Sequence, residues 1–146
     1  MFSFCDEFDV IKSDGLELRI IEKFPGDEVW IPFYYYDIYL GEEPIGKISI
    51  RIGNNYHSYY NGHIGYEIDE AFRGHQYSLK AARMVLPVAK YHGMQSLYLV
   101  CDKSNMASRT IIESLGARLM EETVPPKDYC AWWEGMEVQR IYQLTL

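Results

Sequence analysis

A mixed α/β (α+β) fold is predicted for this 146-residue chain, and three features of its patterning carry the prediction. The N-terminal part holds three β-rich segments whose linkers are too short for crossover helices, so they read as antiparallel. Over 62–116 the pattern becomes strand, turn, helix, strand, helix, the alternation of a β-α-β unit with parallel strands. Beyond Gly116 two more strand-like segments form a last antiparallel pair around a loop rich in Pro, Tyr and Trp.

In chain order, 16–24 (LELRIIEKF) is the first strand and ends at the turn Pro25-Gly26-Asp27. Segment 29–40 (VWIPFYYYDIYL) is aromatic and β-branched and reads as the second, with Pro32 marking an edge or a bulge. A turn over 41–44 leads to a third strand over 45–52 (IGKISIRI). The polar segment 53–62 (GNNYHSYYNG) reads as a loop, whose Tyr56, Tyr59 and Tyr60 either cover the sheet edge or line a pocket. In the fourth strand, 62–69 (GHIGYEID), His63, Gly65, Glu67 and Asp69 share one face, and Ile64, Tyr66 and Ile68 the other. A helix follows over 77–92, burying Leu79, Ala82, Val85, Val88 and Ala89, with a kink at Pro87 and an end at His92-Gly93. Segment 96–101 (SLYLVC) is a short apolar run, as for a parallel strand buried on both faces. The next helix opens at Ser104 or Asn105, buries Ile111, Ile112 and Leu115, and ends at Gly116; strands over 117–123 and 138–146 close the chain. With no repeat or linker, 1–146 reads as one domain.

A formal net charge of −7 argues against a nucleic-acid partner, because phosphate-backbone binding needs a basic surface. The three cysteines, Cys5, Cys101 and Cys130, are widely spaced and form no metal-ligand set with histidine. No apolar run is long enough to span a membrane, and the N-terminal MFSFCDEFDV is acidic rather than signal-like. The expectation is a reduced, cytoplasmic protein with no membrane partner and no metal.

The turn over 70–76 (EAFRGHQ) joins the fourth strand to the long helix. A helix start offers backbone N–H groups without intrahelical partners and the positive end of the dipole, so an anion laid there is bound mainly by main chain. Arg73 adds a charge able to meet phosphate oxygens in a bidentate way, and Gly74 removes a side chain where a ligand approaches the backbone.

These residues resemble the GNAT superfamily of acyl-CoA-dependent N-acetyltransferases. Its pyrophosphate loop, Arg/Gln-x-x-Gly-x-Gly/Ala, opens a helix after a strand, and Arg73-Gly74-His75-Gln76-Tyr77-Ser78 stands in that place. Downstream, Asn105, Ser108 and Gly116 in NMASRTIIESLGA match the family's Asn, small residue and Gly. The likeness covers about 45–122. Gln76 and Ser78 replace the usual Gly and Gly/Ala; both keep their N–H, and Gln76 adds a side chain beside the phosphates. Ile112 stands where many members carry a tyrosine that acts as general acid near the CoA sulfur.

The resemblance implies acetyl-CoA as acyl donor and a primary amine as acceptor. It implies a cofactor slot between splayed parallel fourth and fifth strands of a mixed central sheet, with helices on both faces. Arg73, Gly74, His75, Gln76, Tyr77 and Ser78 would then hold the pyrophosphate, with Ile68 beside the pantetheine. Asn105 would contact the pantetheine, cap the helix, or do both, and Ser108 would pack against or touch it. Glu67 is the candidate general base; the alternative is a solvated carboxylate or a structural ion pair. Asp69 and Glu70, nearer the phosphates, are poorer candidates, and the side chain of His75 is expected in solvent. Cys101 reads as core. Tyr129, Trp132 and Trp133 either cap an acceptor pocket or form an oligomer contact. Only a short segment separates the first two strands, where the family has two acceptor-gripping helices, so the acceptor groove is open or completed by a second copy in a homodimer. The alternative to an enzyme is a non-catalytic acyl-CoA-binding module.

Overall fold

In a computed structural model of the protein, which describes residues 2–146, eight strands form two antiparallel sheets. The first sheet runs in chain order through β1 (Val10–Ser13), β2 (Leu16–Phe24), β3 (Phe33–Leu40), β4 (Glu43–Arg51) and β5 (Ile64–Ile68). The second contains β6 (Ser96–Asp102), β7 (Arg118–Thr123) and β8 (Gln139–Thr145), with β8 in the middle. The helices are α1 (Ser58–Asn61), α2 (Tyr77–Tyr91) and α3 (Met106–Ser114).

Alternation along the strands builds the core. Tyr34, Tyr36 and Ile38 of β3 and Ile48 and Ile50 of β4 are fully buried, as are Ala81, Ala82, Val85, Val88 and Ala89 of α2, which packs on this sheet. The other face carries the cross-strand series Phe33–Arg51, Tyr35–Ser49–Gly65 and Asp37–Lys47–Glu67. A register shift between Ile20 and Glu22 turns Glu22 and Phe24 onto this face, opposite Tyr35 and Phe33. Helix α2 passes through Pro87 and ends with Gly93 at φ +83°, where Gly93 N–H meets the Lys90 carbonyl and Met94 N–H that of Ala89. No helix among the described residues is long and apolar enough to cross a membrane.

Several expectations are corrected. The four-residue strand β1, absent from the sequence reading, hairpins onto β2 through Asp14-Gly15, a tight-turn pair. β3 starts at Phe33 rather than near Val29, because Asp27 accepts the N–H groups of Val29 and Trp30 at 2.8 and 2.7 Å and folds 27–30 into a turn. The polar loop over 53–62 contains the single-turn helix α1.

The largest correction concerns the expected mixed sheet with parallel fourth and fifth strands, here β5 and β6. No parallel ladder forms among the described residues; the two sheets meet only at the mouth of β5. There His63 N–H donates to the Tyr98 carbonyl at 2.8 Å. The His63 ring occupies the next rung: Nδ1 accepts the Tyr98 N–H at 2.9 Å, and Nε2–H donates to the Gly53 carbonyl at 2.8 Å. Gly62 permits the approach, since it sits at φ +75° and a Cβ there would lie 3.3 Å from the Tyr98 carbonyl. The ladder does not continue, because the His63 carbonyl turns back to β4 and accepts the Arg51 N–H at 2.8 Å.

His63 is fully buried, and desolvation pushes its pKa below the ordinary value. On acidification the unfolded chain takes up this proton first, so the contribution is complete above about pH 6.5 and declines as pH falls towards the folded-state pKa. Urea unfolding from pH 7.5 to 5 is expected to lose stability below pH ~6.5, with a shallower slope in His63→Gln. Equal slopes would contradict this role.

Candidate active site

Past His63 the strands part, and an open cleft of about 760 Å³ lies between them. Its walls come from β5 (Ile64 to Ile68), the turn that follows, the first turn of α2, Val100 of β6 and the near side of α3. Of the sequence-predicted residues, Glu67, Ile68, Arg73, Gly74, Gln76, Tyr77, Ser78, Asn105 and Ser108 all line it. His75 does not: its exposed ring packs beside Tyr77, 5.5 Å between centroids.

One end of the cleft is rich in backbone donors. After the short 3₁₀ turn Glu70–Phe72 the chain passes through two left-handed residues, Gly74 (φ +87°) and Gln76 (φ +62°), before α2 begins. Among the described residues, the N–H groups of 74–78 meet no protein acceptor, and Lys80 N–H makes the first helical bond, to the Gln76 carbonyl. Such a nest at the head of a 15-residue helix is a ready anion site. Arg73 is tethered there, its Nε donating to the Ile68 carbonyl at 2.9 Å while its terminal nitrogens stay free.

The carbonyl that Arg73 uses also shows how β5 is turned. Asp69 N–H points inward to Ile45, so alternation sends the main-chain groups of Tyr66 and Ile68 outward, into the cleft. Across from them, Asn105 caps α3, its Oδ1 accepting the Ser108 N–H at 3.1 Å, which leaves its amide nitrogen free on the cleft side. Glu67 is exposed and, among the described residues, takes part in no hydrogen bond or ion pair; its cross-strand neighbour Lys47 is instead bound to Asp37 at 2.7 Å.

Sequence reasoning missed Tyr66. Alternation puts it on the apolar face of β5 with Ile64 and Ile68, yet its hydroxyl lies 2.6 Å from Ser108 Oγ in the cleft wall. Burial pushes this phenol above its ordinary pKa, with the Ser108 bond opposing, so it stays protonated at neutral pH. Ile112 faces the core at 2 % exposure and does not line the cleft. Cys101 is likewise buried, and desolvation raises its thiol pKa, as for a core residue.

The aromatic segment around α1 is a brace for the late loop. Tyr56 donates to Asp128 at 2.6 Å, Tyr59 to Glu121 at 2.7 Å, and the buried Tyr129 to Asn61 at 3.1 Å, while His57 Nδ1 accepts the Cys130 N–H at 3.2 Å. Trp132 and Trp133 lie outside the cleft. Between β2 and β3 there is a turn and no helix, so this flank of the sheet is uncovered.

Left-handed backbone at Gln76 costs roughly 1–2 kcal/mol, partly offset because glycine there would lose roughly 0.5–1 kcal/mol more chain entropy. Gln76→Gly is therefore expected to raise the unfolding free energy by about 0.5 kcal/mol, and the β-branched Gln76→Val to lower it by about 1 kcal/mol or more. Thermal unfolding measures both, and a less stable Gln76→Gly would contradict the assigned strain.

Comparison with known proteins agrees with this architecture. Residues 14–118 match the family model of the acetyltransferase (GNAT) domain. No curated protein sequence matches the chain. Among solved structures, a ribosomal L7/L12 alpha-N-protein acetyltransferase in complex with coenzyme A aligns with a TM-score of 0.71 at 15 % identity, over 94 % of this chain and 98 % of that one. The ribosomal-protein-S5-alanine acetyltransferase of Vibrio fischeri gives 0.67 at 15 % identity, over 93 % and 96 %. An acetyltransferase of Salmonella typhimurium that modifies the N-terminal serine of L7/L12 gives 0.61 at 18 % identity, covering 78 % of this chain and 64 % of that longer one. With a family model spanning most of its length, the chain belongs to the GNAT acetyltransferase family.

Proposed function

We propose that the protein transfers the acetyl group of acetyl-CoA to a primary amine by direct attack of the amine on the thioester. The observation that carries this reading is the cleft between β5 and β6, with an N–H-lined turn at one end and an unpaired carboxylate in its wall. The coenzyme A bound to one of the structural neighbours supports it. The residues present fit the donor: free N–H groups over 74–78 and the terminal nitrogens of Arg73 suit a pyrophosphate, and the outward main chain of β5 suits the amides of a pantetheine arm. The Nδ2 of Asn105, a cleft-lining residue, suits the same arm.

Each remaining requirement has a group on this chain. Glu67 accepts a proton from the ammonium, directly or through water, freeing the nitrogen lone pair. As the N–C bond forms and the carbonyl oxygen gains charge, an outward N–H of β5 (Tyr66 by the alternation) donates to it. As the C–S bond breaks, the Tyr66–Ser108 hydroxyl pair supplies a proton to the departing sulfur, a role suited to a phenol held neutral by burial.

A non-catalytic acyl-CoA-binding module is the rival, favoured by one observation: Gln76 occupies a left-handed position that glycine would hold without strain. Turnover distinguishes the two. With acetyl-CoA and a panel of primary amines, thiol release is expected for at least one amine, and binding without any release would favour the rival. Glu67→Gln should lower kcat roughly 10²- to 10⁴-fold, and Tyr66→Phe roughly 10²-fold, with the CoA dissociation constant little changed in both. Full activity in either variant would remove that residue from its role.

A further inference from the structure

The uncovered face of the first sheet holds a charged group with no part in acetyl transfer. Arg51, at the end of β4, lies beside the inner end of the cleft and is partly buried. Its Nη1 donates to the carbonyls of Gly62 at 3.0 Å and Asn61 at 3.4 Å. No carboxylate lies within ion-pair distance of it among the described residues, and desolvation pulls its pKa below the ordinary arginine value. Arginine stays charged even so, which leaves a half-sequestered cation without a counter-ion. Its Nη2 meets no protein acceptor and extends over Gly65, where a Cβ would stand 3.0 Å from Nη2 and 3.2 Å from Ser49 Oγ. A side chain at Gly65 would cover the guanidinium that its absence leaves open.

Arg51 and Asn61 are also the residues shared with a second pocket, of about 430 Å³, on the flank that has no helix. Its floor is aromatic: Phe24 and Phe33 stack with centroids 4.9 Å apart, and Trp30 and Ile31 stand beside them. The Asp27 carboxylate there is occupied by the turn's own N–H groups, and Glu22 is exposed and unpaired. The cation therefore stands between an apolar pocket and the candidate base. Gly65, beneath the guanidinium, and Glu67 are two residues apart on one strand face, a separation of about 6.8 Å. That span suits an α-amino acid, with its carboxylate on the guanidinium and its amine on the base side.

We infer that the acceptor is an amine carrying a carboxylate close to its nitrogen, an α-amino acid with an apolar side chain. Its carboxylate pairs with Arg51 Nη2, its side chain fills the Phe24–Trp30–Phe33 pocket, and its amine faces Glu67 and the cleft. This rests on the acetyl-transfer reading, and it differs from transfer to a protein N-terminus, where an amide replaces the free carboxylate.

The test is calorimetric titration of the CoA-loaded protein with N-acetyl-L-leucine, N-acetyl-L-methionine and N-acetyl-L-phenylalanine, each against its carboxamide. A companion assay measures thiol release from acetyl-CoA with the corresponding free amino acids and amino acid amides. At least one acid is expected to bind 10-fold or more tightly than its amide, with the same preference in kcat/KM. Arg51→Gln should bring that ratio near one without changing CoA affinity, whereas Trp30→Ala should keep the acid preference while weakening both ligands. Equal binding of acid and amide by the unsubstituted protein, a preference that survives Arg51→Gln, or no binding of any acid would each overturn the inference. CoA binding without release on any amine would instead sink the catalytic reading, and turnover that ignores the carboxylate would sink only this inference.

Discussion

The architecture depends on where the two sheets stop touching. One main-chain bond, His63 N–H to the Tyr98 carbonyl, and the imidazole that takes the neighbouring Tyr98 N–H join β5 to β6, and past this joint the strands diverge. An unpaired strand edge is normally a liability, because its polar groups need partners. Here the outward groups of β5 open onto a cleft rather than onto a sixth strand, with Arg73 already drawn to the last of them through the Ile68 carbonyl. A buried, neutral histidine is suited to the joint, since it offers one acceptor and one donor at fixed positions and no charge to solvate.

From that separation the other parts follow in a chain. The turn after β5 is aimed at the mouth of the gap, and its N–H groups are free because the first turn of α2 has no earlier carbonyls to bond. Helix α3 closes the far wall, fixed by Asn105 as its cap and tied across the gap by Ser108 to Tyr66. The face of the sheet opposite α2 is less completed. Lys47 and Asp37 neutralise each other, but among the described residues Glu67, Glu22 and Arg51 form no ion pair. An unpaired cation near an unpaired carboxylate on one open face suits a ligand that carries both charges.

Much of this was legible in the residues. The stripe of α2 was readable because helical spacing of apolar residues is a strong signal, and all five predicted positions are buried. The capping role of Asn105 followed from its short side chain before an apolar run. The division into two sheets was not legible, because strand patterning is the same whether or not neighbouring strands pair. Short elements were lost for a related reason: β1 has four residues and α1 a single turn, too few to show a period. Tyr66 was hidden by its own alternation, which marks a position as inward-facing without saying that its hydroxyl finds Ser108. Arg51 read as one more polar end of a strand, since the absence of a carboxylate partner is visible only in three dimensions.

The central claim is that the gap between β5 and β6, headed by the turn of Arg73 to Ser78, holds an acyl-CoA. It is tested most directly by titrating acetyl-CoA into the protein calorimetrically, with S-acetylpantetheine as the comparison lacking the pyrophosphate. One site per chain is predicted, with S-acetylpantetheine binding roughly 100-fold or more weakly, the equivalent of one or two charge-assisted hydrogen bonds at about 1.5–3 kcal/mol each. Equal affinity for the two ligands, or no binding of acetyl-CoA, would contradict the assignment of the cleft.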